Sequence, residues 1–307
     1  MFQIDDGFET FVGDWLNVDK RKFPHGLNPL FNDIRNKKLK IGLWLAPFVC
    51  ECKSDIYQKH PDWLVKDENN KIILAGCNWS NFAVLDIYNQ EVQEYLEKVF
   101  NHYNELGVDL YKLDFLYAIG LIKRKDKSRA EIMYDGMKLL RKLIGNRYFL
   151  ACGASIFSCL GLANYIRVGA DVSLSYDDKL YMHILHQERP STKNTIINTI
   201  CRHELSRNIG VDGDVYILRK NNTTLSDDQK EILFTVNHLF GDVILTSDDM
   251  ATYNQKSLTL YNHKAFLLNC TVVDYRRVGN VYEIFYQDDA KNQYVFKFNY
   301  LKGKILK

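Results

Sequence analysis

Residues 40–46 read KIGLWLA, a short run that is apolar almost without interruption. A strand with one face in water alternates apolar and polar residues, whereas a continuous run is typical of a strand covered on both faces, as in a parallel sheet. Six further runs are rich in β-branched and aromatic residues: FQI (2–4), DLYKLDF (109–115), RYFLACG (147–153), YIRVGADVS (165–173), DVYILR (214–219) and DVILTS (242–247).

The segments between these runs are predicted to be helices. Residues 90–106 place their apolar side chains on one face with a period of 3.6 residues. Ser128 with Glu131, and Ser226 with Gln229, are candidate capping boxes for two more helices. Alternating strands and helices predict an α/β protein, and seven strand candidates within about 250 residues favour a (β/α) barrel over a Rossmann sheet. The sequence has no G-x-G-x-x-G motif and no P-loop.

The sequence changes character after about residue 256. VYEIFY (281–286) and QYVFKFNYL (293–301) flank the polar stretch QDDAKN and predict an antiparallel hairpin. We therefore expect a barrel catalytic domain at 1–255 and a small antiparallel β domain, complete or partial, at 256–307.

Composition excludes several classes of function. The 307 residues carry a net charge of +2 without a long basic run, which gives no case for nucleic acid or for an anionic membrane as a partner. No apolar stretch approaches 18 residues and no leader precedes residue 20, so we expect a cytoplasmic protein unless a leader lies in a preceding part of the chain. The seven cysteines lack paired CxxC spacing. Reduced thiols are favoured over a zinc site at Cys50 and Cys52, and we expect no metal and no cofactor.

Polar residues gather where the predicted strands end, which is where a (β/α) barrel carries its chemistry. Each has a structural alternative: an aspartate can cap a turn, a tryptophan can be core, and a cation can pair with a nearby acid. Together they offer carboxylates for glycoside cleavage and an aromatic face for a sugar. The set comprises Asp5, Asp6, Trp44, Lys112, Asp114, Cys152, Arg167 and Asp171. These residues alone predict a barrel with an acidic pocket, with a glycosidase as one hypothesis.

A family resemblance sharpens this hypothesis. The motifs FQIDDGF, GDW, FPHGL, GLWLAPF, HPDWLV, LYKLDF, LACG and YIRVGADVS occur in the order found in α-galactosidases of glycoside hydrolase family 36, the melibiase type. The chain resembles that family over about residues 1–250, through DVYILR and DVILTSDD. The resemblance implies a retaining enzyme that cleaves terminal α-galactosyl units from oligosaccharides such as melibiose and raffinose.

The resemblance also assigns roles to residues. The family's nucleophile matches Asp114 in YKLDF, and its acid/base matches Asp171 in RVGAD. The sugar-binding pair of the early strand matches Asp5 and Asp6, and the pocket positions match Trp44, Lys112, Cys152 and Arg167. The nucleophile must stay ionised, which nearby cations favour. The acid must be protonated, so we expect a drier or less cationic setting around Asp171.

The chain departs from the family pattern near the acid/base. Ala170 stands where the family often has proline, Asp177 and Asp178 add acids, and VDGD (211–214) replaces an Asn-Asp-Pro-Asp-like turn. These changes bear on the preference for the leaving group more than on galactose chemistry.

In the family, a β-sandwich domain and the first barrel strand precede the FQIDDG motif. We therefore expect a homo-oligomer, a second chain that supplies the missing part, or a rearranged barrel. The functional alternatives are a working α-galactosidase, a catalytically poor relative that keeps the fold and sugar binding, and a transglycosidase like the raffinose synthases.

Overall fold

The computed structural model describes residues 1–184 and 189–306, which form two compact units, Met1–Ile166 and Arg167–Lys307. Helices alternate with parallel strands in the first unit, and parallel strands recur in the second. The predicted α/β class is confirmed. Closure into an eight-stranded barrel and a domain boundary at residue 255 stay predictions.

Five parallel strands form the frame of the first unit, in the order β1-β2-β6-β7-β8. Their register aligns Ile4 with Leu43, Trp44 with Lys112, and Leu113 with Ala151, so their carboxyl ends lie along one edge. A separate antiparallel sheet, β3-β5-β4, was not predicted from the sequence. The strand bounds are β1 (Phe2–Ile4), β2 (Ile41–Leu45), β3 (Val49–Glu51), β4 (Leu74–Gly76), β5 (Phe82–Val84), β6 (Leu110–Leu113), β7 (Tyr148–Ala151) and β8 (Tyr165–Arg167).

The helices of the first unit follow the predicted local signals. The helix predicted over 90–106 is confirmed as α3, and its apolar face is buried. Ser128 and Glu131 form the predicted capping box of α4, with both reciprocal hydrogen bonds present. The bounds are α1 (Asn28–Asn36), α2 (Asp55–Lys59), α3 (Gln90–Glu105), α4 (Arg129–Ile144) and α5 (Ile156–Cys159), and a 3₁₀ segment spans Leu116–Leu121.

The second unit contains a parallel strand pair, β9 and β10, and the capping box predicted for α8 is confirmed. Two predicted strands were wrong in their bounds. The run at 165–173 is strand only through Arg167; Val168 N–H still donates to Asp212 O, but Val172 N–H donates to the Asp214 side chain. The run predicted at 214–219 is strand at Gly210–Tyr216, because its acids pair with Arg167. The bounds are α6 (Leu180–Ile184), α7 (Thr192–Arg202), β9 (Gly210–Tyr216), α8 (Asp227–Phe240), β10 (Val243–Thr246), α9 (Gln255–Asn262) and α10 (Lys264–Leu267).

A four-stranded antiparallel sheet completes the second unit, and it contains the predicted hairpin as β12 and β13. Its buried side chains, including Ile284 and Phe298, share one apolar core with Ile200 of α7 and Phe234 of α8. The sheet therefore packs on the helices of this unit. Its strands are β11 (Thr271–Val278), β12 (Val281–Gln287), β13 (Gln293–Asn299) and β14 (Lys304–Leu306).

Close packing beneath the 3₁₀ segment predicts the effect of one glycine substitution. Alanine at Gly136 in α4 would gain about 1 kcal/mol of helix propensity. Its Cβ, however, would lie 2.3 Å from Ile119 Cδ1 and 3.3 Å from Phe48 Cζ, and both side chains are fully buried. We expect Gly136→Ala to destabilise the protein by roughly 1–3 kcal/mol, as overpacking does, measured by urea unfolding.

A double-mutant cycle supplies the control. Ile119→Val removes the methyl group that the new Cβ would meet, so the double variant should lose less stability than the sum of the two single variants. If the losses of unfolding free energy in the two single variants simply add in the double variant, the new Cβ does not clash with Ile119.

Candidate active site

The first cluster of site residues lies at the carboxyl ends of the strands of the first unit. Asp5 follows β1, and its Oδ2 accepts from Lys112 Nζ of β6 at 2.8 Å. Gln3 Nε2 donates to the same oxygen at 2.9 Å. The Lys112 side chain is only 12% exposed while that of Asp5 is 54% exposed, so the pair joins a largely buried cation to an accessible carboxylate.

Asp114 is held immediately after β6. Its backbone N–H donates to Leu45 O at 2.9 Å, which continues the register with β2. Trp44 Nε1 donates to Asp114 Oδ2 at 3.2 Å, and the N–H of Phe115 donates to Oδ1 at 2.7 Å. Phe115 has a left-handed backbone (φ 54°), which is strained for a residue with a side chain and occurs mainly where surrounding structure imposes it. With a donor on each oxygen, the plane of the carboxyl group is fixed.

An aromatic wall stands beside these acids, and its key member was missed from the sequence. Trp79 lies in the loop between β4 and β5, and its Nε1 donates to Asp6 Oδ2 at 3.0 Å. Its ring is 6.3 Å from the Trp44 ring and 4.8 Å from the Phe115 ring. The only sequence signal was an isolated tryptophan in a polar loop, CNWSN (77–81). Indole faces beside carboxylates suit a sugar, which offers C–H patches and hydroxyl donors.

Glu9 is a second residue that sequence analysis missed. It is 5% exposed, and burial, with the neighbouring Asp6 carboxyl as the next cause, raises the pKa of Glu9 to about 8. Its Oε2 has no hydrogen-bond partner among the described residues. Glu9 is therefore a neutral acid near pH 7, able to donate to Asp6.

Cys152 lies directly after β7, where it was predicted. It is buried, its N–H donates to Leu113 O at 2.8 Å, and its carbonyl accepts from Leu116 N at 3.3 Å. The thiol position is thus fixed relative to the segment that follows Asp114.

The second cluster is centred on Arg167, whose side chain is 5% exposed. Its guanidinium contacts three carboxylates: Asp171 through Nη1 at 2.7 Å, Asp212 through Nε at 2.7 Å, and Asp214 through Nη2 at 2.8 Å. Burial, together with the Asp171 and Asp212 charges, raises the pKa of Asp214 to about 6 despite the opposing effect of Arg167. One cation is therefore shared among three acids.

The setting of Asp171 differs from the expected one. Its side chain is 61% exposed and touches a cation, whereas a drier or less cationic place was expected for a general acid. A cation lies beside Asp171 because Arg167 also neutralises Asp212 and Asp214, which are nearly fully buried against the same guanidinium. Both acids lie in β9. The sequence analysis read them as the VDGD turn, with Asp214 also opening the predicted strand at 214–219.

Two further findings concern the described residues only. They contain no group of three or more histidine, cysteine, aspartate or glutamate side chains arranged to hold a metal ion. None of the helices within 1–184 and 189–306 combines the length and apolar character needed to cross a bilayer.

Comparison with known proteins also points to sugar chemistry. Residues 1–140 match the family described as Melibiase. An α-galactosidase of Escherichia coli is 34% identical over 168 residues, which is 50% of this chain and 23% of that protein. An α-galactosidase of Thermus thermophilus, solved in complex with p-nitrophenyl α-D-galactopyranoside, matches at 31% identity with a TM-score of 0.82 over 99% of this chain and 60% of its own.

The chain spans less than a quarter of the length of the curated relatives in these alignments; for α-galactosidase 2 of Pediococcus pentosaceus the share is 14%. Structures named as GH36 and GH27 enzymes match at 17% and 18% identity, which shows the fold alone. The matches support a glycoside hydrolase. The choice of family 36 over family 27 stays a prediction.

The buried Glu9 predicts a pH-dependent change in stability. The native state keeps a proton on Glu9 up to about pH 8, whereas a glutamate with the ordinary pKa of 4.5 releases it earlier. Between these two pH values the native state binds more protons than the unfolded state. The stability that the protonated Glu9 contributes is therefore lost as pH rises from about 4.5 through 8. Glu9→Gln keeps the group neutral, so its melting temperature should rise relative to that of the wild type as pH increases from 5 to 9.

The exposed Glu97 provides the matched control. Glu97→Gln should leave the difference from wild type constant over this range. A constant difference for Glu9→Gln as well would mean that Glu9 is ionised in the folded protein.

Proposed function

We propose that this protein is a retaining α-galactosidase that hydrolyses terminal α-D-galactosyl residues of oligosaccharides such as melibiose and raffinose. Asp114 is the nucleophile and Asp171 the general acid/base. The observation that carries the proposal is the Asp114 carboxyl, which directly follows β6 and is fixed by the donors of Trp44 and Phe115. It lies within the region matched to the melibiase family.

The reaction follows from two carboxyl groups with different tasks. Asp114 attacks the anomeric carbon while Asp171 donates a proton to the leaving oxygen, which gives a covalent galactosyl-enzyme. Asp171 then takes a proton from water, and the water oxygen attacks the anomeric carbon to release galactose and free Asp114. The cation beside Asp171 is shared, because the Arg167 guanidinium also contacts Asp212 and Asp214.

Galactose recognition is assigned to Asp5 and Asp6. Each is an acceptor for sugar hydroxyls, and each is oriented by a donor, Lys112 for Asp5 and Trp79 for Asp6. Trp79, which is partly exposed, presents an aromatic face to the C–H side of the sugar. Trp44 is only 2% exposed, so its part in the pocket is to orient Asp114 through Nε1. Cys152 and Arg167 complete the proposed pocket residues.

The finer assignments remain predictions. They are family 36, a cytoplasmic location and assembly as a homo-oligomer. Assays with water and with sugar acceptors separate hydrolysis from transfer, and a wild-type chain inactive on every α-galactoside would favour the catalytically poor relative.

Azide rescue tests the two catalytic roles. Asp114→Ala should lose nearly all hydrolysis of nitrophenyl α-galactoside. Added azide should restore turnover as β-galactosyl azide, because the small anion attacks from the vacated face. Asp171→Ala should instead give the α-azide, since azide then intercepts the galactosyl-enzyme. Each variant is the control for the other, and exchanged products would reverse the assignment.

Trp79 tests the recognition of galactose. Trp79→Phe keeps an aromatic ring but removes the donor to Asp6. A hydrogen bond to a charged group contributes roughly 1.5–3 kcal/mol, and Trp79 is partly exposed, so kcat/KM should fall by about tenfold, the lower end of that range. Trp63→Phe is the matched control, because Trp63 Nε1 also donates to a carboxylate, Glu91, but on α3. Equal losses in both variants would remove Trp79 from the site.

A further inference from the structure

Residues 172–177, which we call the post-Asp171 segment, have no helix or strand and yet are fixed along their length. Val172 N–H donates to Asp214 Oδ2 at 2.6 Å. Thr192 Oγ1 donates to Ser173 O at 2.8 Å, and Thr224 N–H donates to Leu174 O at 2.8 Å. In a surface loop such backbone groups usually bond to water, whereas here they bond to other parts of the protein, so the conformation of this segment is fixed.

The end of the segment is tied to α7. Lys193 N–H donates to Tyr176 O at 2.8 Å, and the Lys193 ammonium forms an ion pair with Asp177. Ser191 Oγ donates to Asp177 Oδ1 at 3.1 Å. Asp177, which departs from the family pattern, thus has a structural role here.

Tyr176 gives the segment a link to the antiparallel sheet. Its hydroxyl donates to Tyr300 O, in the turn between β13 and β14, at 2.6 Å. In the same turn, a Cβ at Gly303 would lie 2.9 Å from Tyr176 Cζ and 2.5 Å from Gln229 Cγ, and Gly303 has a φ of 59°. A side chain at Gly303 would therefore be strained by the backbone and would crowd both Gln229 and the Tyr176 ring.

We propose that Tyr176 is a positioning residue for Asp171. The hydroxyl bond to Tyr300 ties the post-Asp171 segment to the antiparallel sheet and thereby sets where the Asp171 carboxyl lies. The inference rests on the proposed function, in which Asp171 protonates the leaving group. The Asp171 side chain is 61% exposed, so apart from its ion pair with Arg167 it has few contacts that could hold it in place. Its position therefore depends on the position of the backbone on either side. A displacement of about 1 Å in a catalytic group can cost on the order of 100-fold in rate.

The test compares leaving groups. A sugar leaving group needs the proton from Asp171, whereas dinitrophenolate leaves without one. General acid catalysis contributes about 10²–10⁴-fold, so partial misplacement in Tyr176→Phe should lower kcat/KM for melibiose on the order of tenfold. Cleavage of dinitrophenyl α-galactoside should change little. The ratio of the two values does not depend on the folded fraction, so it stays valid if the variant is less stable.

Tyr294→Phe is the matched control, because Tyr294 belongs to the same sheet and its hydroxyl donates to Asp288 Oδ2 at 3.1 Å. It should leave the ratio unchanged. Equal loss on both substrates in Tyr176→Phe, or no loss, would overturn the positioning role.

Amide hydrogen exchange separates this inference from the proposed function. Faster exchange over residues 172–177 in Tyr176→Phe, but not in Tyr294→Phe, supports the anchor. Unchanged exchange overturns it whatever the activity. A wild-type chain that cleaves neither substrate would reject the proposed function instead.

Discussion

A charge removed from water has to be matched by an opposite charge, and this constraint organises both clusters of site residues. The Arg167 guanidinium is nearly fully buried and holds three carboxylates, two of them also buried. Lys112 is largely buried and reaches the exposed Asp5. An unpaired ion in either place would cost several kcal/mol. The solvent-exposed acids Asp5 and Asp171 are therefore oriented by largely buried cations, Lys112 and Arg167.

Local signals explain where the sequence analysis succeeded, and the pairing of buried charges explains one place where it failed. Helices α3, α4 and α8 were predicted because their periodicity and caps are local. The sequence analysis predicted β9 four residues too far along the chain, at 214–219, because GVDGDVY contains two aspartates and reads as polar. In the structure these acids pair with Arg167, which allows the strand to be buried.

Residues that come from loops gave the weakest signals. Trp79 and Glu9 lie beside Asp6 through contacts that no spacing rule encodes. The strand-end residues Asp5, Trp44, Lys112 and Asp114 were singled out from the sequence because strand ends are where a parallel sheet carries its chemistry, and their roles stay predictions. The order of motifs added the roles, which composition could not supply.

Phe115 illustrates how the protein balances strain against order. Its left-handed backbone follows Asp114 directly, and its ring lies against Trp79 and Phe82. A residue with a side chain in this conformation costs of order 1–3 kcal/mol, which glycine would avoid. Glycine would also remove a ring from the aromatic wall and free the peptide that donates to Asp114. The phenylalanine at this position therefore gives up folding energy in exchange for a fixed orientation of the Asp114 carboxyl group.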